Sequence, residues 1–227
     1  MHKFEFGDVM SEKTLIYLVR HGESIGNKNK MFLGHTDLDL SEHGYKQARA
    51  TAAALSKVKL DKIYSSSLQR AYNTAKAHAD LRGMTVHTDH GLRELYVGDW
   101  EGKHVDEIIE KYGEKVFKED WHGGFGTFAF PNGESTMEGS RRFYKTVMKI
   151  ASENMGKTLL IAAHAAVIRG FWSIICGVAP EDIVEKIPFP SNASYSVAEF
   201  DGEKLSPIEY SHDEHLADIG ITKVIVG

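Results

Sequence analysis

The sequence predicts a three-layer α/β/α fold around a mostly parallel central sheet. Apolar runs of strand length recur at residues 15–19 and 158–163, and stretches with helical spacing alternate with strands nearly throughout. That alternation is the pattern of a parallel sheet flanked by helices. In addition, side chains able to do chemistry follow directly on strand ends, where open α/β sheets bind ligands.

Taken in order, residues 15–19 form a buried strand running into Arg20-His21-Gly22-Glu23. The polar stretch 26–30, which holds Asn27, reads as a loop. Residues 41–58 place Ala48, Ala52 and Leu55 at helical spacing behind a Ser41 cap. Residues 62–64 are a second strand, followed by Ser65-Ser66-Ser67. Any of these serines could cap a helix over 68–81 and set Arg70 in its first turn. A short strand at 84–87 precedes a loop over 92–102 that carries Glu94. Residues 102–133 are the irregular exception: a charged helix over 105–118, then Gly123-Gly124-Phe125-Gly126. They are expected to lie over the strand C-terminal ends as a lid. Residues 134–154 form a long helix with Phe143, Val147 and Ile150 on one face. The strand at 158–163 ends in His164, and Ala165 opens the next helix. Segments 194–200 and 204–210 flank Asp201-Gly202 as an edge hairpin. No repeat or linker divides the chain, so residues 1–227 read as one domain. Its core is about 14–210, with the lid-like insertion at 102–133 and a C-terminal segment at 211–227.

A net charge of −5 argues against a nucleic-acid or membrane-surface role. No stretch approaches the roughly 20 apolar residues of a membrane helix, and residues 1–13 lack the apolar region of a signal peptide. A cytoplasmic enzyme is expected, with a homodimer left open. The single cysteine, Cys176, excludes an intrachain disulfide and reads as a small buried hydrophobe.

Arg20 and Arg70 each offer a planar fork that matches two phosphoryl oxygens. His21 is nucleophilic near neutral pH, and Gly22 would allow close backbone approach to a bound group. Taken singly, the arginines read as ion-pair partners, the histidines as structural and Glu94 as solvated. Arg20, His21, Arg70, Glu94 and His164 in this order, mostly at strand ends, read as one site.

Several motifs repeat that order: Arg20 to Glu23; Gly34-His35-Thr36-Asp37 through Ser41 and Gly44 to Gln47-Ala48; Ser65 to Arg70 with Thr74-Ala75; Leu92-Arg93-Glu94; Gly98 to Gly102; Pro131 to Ser135; and His164. Together they resemble the histidine phosphatase superfamily, whose members include cofactor-dependent phosphoglycerate mutases and many small phosphatases. The resemblance implies a phosphoglycerate mutase-like fold and a small-molecule phosphomonoester as substrate. It implies that His21 is phosphorylated during turnover and that Glu94 donates a proton. Arg20, Arg70 and His164 would form the phosphate pocket, with Asn27 and Ala165 beside them. Ala165 stands where the family usually has glycine. No metal and no cofactor are expected, because the site supplies its own cations. Partial burial beside Leu92, Leu95 and Tyr96 is expected to raise the pKa of Glu94, and the arginines to lower that of His21.

Mutases of the family follow the acidic residue with arginine and carry an arginine-rich insert. Here Leu95 follows Glu94, and residues 102–133 contain lysines but no arginine. A hydrolase is the reading taken; a phosphoglycerate mutase and a non-catalytic phospho-ligand module are the alternatives. His35 is expected to border the pocket, Trp121, Phe125 and Phe128 to lie in the lid, and His212 and His215 to sit in a solvated segment.

Overall fold

The computed structural model describes residues 12–222. Strand β1 (Thr14–Arg20) turns Ile16 and Leu18 to one face and Val19 to the other, as a strand covered on both sides must. It pairs with β4 (Thr158–Ala163) in a six-stranded sheet ordered β3-β2-β4-β1-β5-β6. β2 is Lys62–Ser66 and β3 is Val86–Asp89. β5 (Tyr195–Phe200) and β6 (Leu205–His212) form the hairpin. The β1–β4, β2–β4 and β2–β3 pairs are parallel, whereas β5 and β6 continue antiparallel to one edge.

Helices cover both faces. From α2 (Glu42–Ala54) and α3 (Gln69–Arg82), Leu55, Ala75 and Ala79 close over Val19, Ile63, Leu160 and Ala162. From α5 (Thr136–Ser152) and α6 (Ala165–Ile175), Phe143, Val147, Ile150, Val167 and Phe171 close over Ile16, Leu18, Leu159 and Ile161. Ser41 and Ser135 cap α2 and α5 through their side chains, the latter in a reciprocal box with Glu138. Three short helices complete the chain: α1 (Ile25–Lys28), α4 (Val105–Tyr112) and α7 (Ile183–Lys186).

Several expectations need correction. The stretch read as a loop at 26–30 is largely α1, because Ser24 and Asn27 form a capping box. None of the three serines caps α3. Leu68 is the cap residue, and the Gln69 N–H donates to Asp37 Oδ1 (2.7 Å), a partner from a distant loop. The strand expected at 84–87 is Val86–Asp89. Between 102 and 133 the charged helix stops at Tyr112, before Gly113 at φ 90°, and a wide π-helical turn spans Val116–Gly123. That segment is a packed wall, since Phe117, Trp121, Phe125 and Phe128 are buried with Trp100. Cys176 is exposed at the end of α6. The signal-peptide reading of residues 1–13 lies, for residues 1–11, outside the described residues, as do 223–227 of the C-terminal segment. No helix among the described residues is long and apolar enough to cross a membrane.

His78 on α3 is fully buried, and neither ring nitrogen has a hydrogen-bond partner among the described residues. Burial first, then Arg82 and His215, lowers its pKa to about 3. Between there and the ordinary value of 6.5 the unfolded chain binds a proton that the fold refuses, so stability falls as pH drops through that window. Thermal denaturation of His78→Leu is expected to show a smaller loss of Tm than wild type between about pH 6.5 and 4. Equal losses would contradict this.

Candidate active site

The parallel register sets the centre of the site. Arg20 pairs with Ala163, so the next residues, His21 and His164, emerge side by side. Their rings stand 5.1 Å apart at 62°. Ser65 pairs with Ala162, which brings Ser66 Oγ to 2.8 Å from His164 Nε2.

His21 Nδ1 lies 2.7 Å from the Gly22 carbonyl oxygen. A carbonyl can only accept, so Nδ1 carries the hydrogen and Nε2 keeps its lone pair. Burial, reinforced by Arg70 and Arg20, holds the His21 pKa well below the ordinary histidine value. His164 is lowered likewise, by burial and then by Arg70 and His21. Gly22 does not serve a ligand in the way expected: a Cβ there would collide with the Gly44 carbonyl of α2. Its N–H donates to Thr74 Oγ1 (3.1 Å).

The two arginines are 2% and 1% exposed. Arg20 donates to the Pro190 carbonyl (2.6 Å), and its Nε has no partner. Arg70 donates to the Thr36 and Gly34 carbonyls (3.0 and 2.7 Å). No ion pair within 4.0 Å joins either to a carboxylate among the described residues, so the ion-pair reading does not hold. Burial lowers both pKa values to about 10, which leaves both charged at neutral pH.

Glu94 is half-buried, and its oxygens accept from the Leu95, Ala166 and Val167 N–H groups (3.0, 3.2 and 3.2 Å). The carboxylate therefore sits across the first turn of α6, next to the strand end that carries His164. Arg20, His21, Asn27, Arg70, Glu94 and Ala165 line one cavity. His164 is fully buried beside His21 and is not on that wall. Asn27 Oδ1 is occupied by Ser24 and Asn192, which leaves the Nδ2 amide as its free donor.

Four supporting residues escaped the sequence reading. Asn192 is buried and donates to the His21 carbonyl and to Asn27 Oδ1 (3.0 and 3.2 Å). Ser66 orients His164. Arg142 and Glu134 form an ion pair (2.8 Å), and Arg142 also donates to the carbonyls of Gly91, Arg93 and Glu94. The last pair meets because Glu134 lies ahead of the α5 cap, outside the helix that carries Arg142. His35 meets the Glu94 carbonyl (2.9 Å) but is not on the cavity wall. Trp121 lines the cavity, whereas Phe125 and Phe128 lie in the core. Glu101 is engaged with His35, Thr36 and Val97 backbone N–H groups. His212 and His215 stack beside Tyr195, and no cluster suited to a metal occurs among the described residues.

A family model described as the histidine phosphatase superfamily (branch 1) matches residues 16–212. The chain belongs to the histidine phosphatase superfamily. Phosphoserine phosphatase 1 of Hydrogenobacter thermophilus is 31% identical, covering 89% of this chain and 94% of that protein. The 2,3-bisphosphoglycerate-dependent phosphoglycerate mutase of Bartonella tribocorum is 33% identical over 77% of this chain and 86% of its own. Among solved structures, Bacillus stearothermophilus YhfR superposes with a TM-score of 0.82 at 28% identity, covering 89% and 99% of the two chains. The superfamily's fold is thus the one described here.

For this histidine phosphatase chain, the His21 geometry gives a direct expectation. Nitrogen-15 spectra should show the Nδ1–H tautomer at pH 6.5, with protonation only well below it. Half-protonation at or above 6.5 would contradict the tautomer and its cause.

Proposed function

We propose that this chain is a phosphomonoester hydrolase that works through a phosphohistidine on His21. The observation that carries the reading is a buried imidazole with a free Nε2 lone pair, flanked by two buried guanidinium groups that lack carboxylate partners. Nε2 attacks phosphorus, the P–O ester bond breaks, and Glu94 gives its proton to the departing oxygen. Water then attacks the phosphohistidine, Glu94 takes the water's proton, and the N–P bond breaks to release phosphate. Arg20 and Arg70 hold the equatorial oxygens, and their charge offsets what develops in the transition state. His164, held at Nε2 by Ser66, keeps an unpartnered Nδ1 off the cavity wall, so it meets a phosphoryl oxygen only if substrate binding uncovers the ring. The Asn27 amide is a further donor.

The mutase-named relative calls for a comparison of pockets. Arg20 and Arg70 are the only arginines on the cavity wall among the described residues, and both belong to the phosphoryl end. The remaining cation on the wall, Lys30, is exposed, so no buried cation is left to retain a phosphoglycerate against water, and hydrolysis is the activity favoured.

A rapid quench in alkaline SDS of wild type mixed with p-nitrophenyl [32P]phosphate is expected to trap a base-stable, acid-labile label on His21. His21→Ala should lose the label and turnover by at least about 1,000-fold. A label on Ser65, Ser66 or Ser67, or substantial turnover in the variant, would overturn the mechanism.

A further inference from the structure

The cavity has two chemically distinct ends. One holds Arg20, His21, Arg70 and Glu94. The other is built from Phe32, Leu33, Val97, Trp121, Phe130 and Phe189. The rings at that end pack on each other, Trp121 with Phe130 at 4.9 Å and with Phe32 at 5.9 Å. Three separate segments supply them: the loop after α1, the wall over 116–130, and the approach to β5. The π-helical turn Val116–Gly123 is what carries Trp121 to this wall.

Nearby cations that could otherwise receive a second anionic group are engaged elsewhere. Arg169, behind the wall, donates to the Ile183, Val184 and Ile187 carbonyls. It also stacks on Phe125 and Phe189 at 4.6 and 4.2 Å. Arg142 is committed to Glu134 and the 91–94 carbonyls. The remaining cation on the cavity wall, Lys30, is exposed at the mouth. An ion pair in solvent is weak, whereas removing an aromatic ring from water is a substantial gain. A carboxylate held against Phe130 and Val97 would be desolvated without a partner.

We infer that the leaving group of the substrate is a compact apolar alcohol, and not a carboxylate-bearing one such as serine or glycerate. The cavity is about 130 Å³ in all, phosphoryl end included, so the leaving group is compact. This inference rests on the phosphatase reading for the orientation of the ester: phosphoryl group at His21, leaving group at Trp121. It also separates this chain from the activity in the name of the Hydrogenobacter relative.

The test uses stable phosphonates, so it does not depend on turnover. The ligands are 3-phenylpropylphosphonate, propylphosphonate and 2-amino-4-phosphonobutanoate, isosteres of 2-phenylethyl phosphate, ethyl phosphate and phosphoserine. Calorimetry on the full chain is expected to give a Kd at least about tenfold lower for the phenylpropyl ligand than for either other ligand. Trp121→Leu should shrink the phenylpropyl-to-propyl ratio several-fold, and Val105→Arg, a cation added to the apolar wall, should raise affinity for the amino acid ligand. Tighter binding of 2-amino-4-phosphonobutanoate by wild type, or equal Kd values for phenylpropyl and propyl, would overturn the inference. Should the affinity order hold while no phosphohistidine forms from 2-phenylethyl phosphate, the ligand class stands and the hydrolytic mechanism falls.

Discussion

Two guanidinium groups buried in one cavity, with Glu94 in their field but no carboxylate in contact with either, constrain everything around them. Isolated charges resist leaving water, and a pair of like sign resists more. Arg20 and Arg70 are tolerated because main-chain carbonyls of Gly34, Thr36 and Pro190 take their donors. Those carbonyls come from loops that are fastened in turn: the 34–36 turn by Glu101, and the start of α3 by Asp37. Partial satisfaction by dipoles leaves a residual demand for negative charge, which a phosphoryl group meets. Burial, reinforced by the same field, keeps the two histidines neutral, so the ring placed to attack phosphorus holds its lone pair.

Order in the sheet converts sequence neighbours into spatial ones. The β1–β4 register puts His21 next to His164, and the β2–β4 register puts Ser66 under His164. Asn192, reached across the antiparallel partner β5, holds the His21 carbonyl. The phosphoryl end is therefore fixed by strand pairing, which tolerates little movement. The opposite end is assembled from loops and the 102–133 segment, where side chains alone define shape. Chemistry and substrate choice thus reside in different layers of the same molecule.

The strands and the site motifs were legible because their signals are local: apolar runs ending in Arg-His or in His, and Ser41 ahead of a periodic helix. Where neighbours distant in sequence decide the outcome, the reading failed. Asp37 caps α3, so the serines nearby were the wrong choice. Gly22 is small because α2 crosses it. Nothing local in residues 113–123 announces a π-helical turn, which forms because Phe117 and Trp121 must both reach the aromatic cluster around Trp100. Cys176 looked apolar in its helix, yet it sits on the last turn, where the chain has already left the core. Arg142 and Asn192 escaped for a related reason, since both act on main-chain carbonyls, which carry no sequence signature.

The central claim is that Arg20 and Arg70 are an anion receptor that Glu94 compensates only in part and without contact. Thermal denaturation across a titration of inorganic phosphate measures this directly. A ligand that binds only the native state stabilises it by about 2.7 kcal/mol at 100 times its Kd, which is a rise of roughly 5–10 °C for a domain of this size. The account requires that rise in wild type and its disappearance in Arg20→Gln and in Arg70→Gln. An unchanged Tm in wild type, or the same rise in both variants, would contradict it.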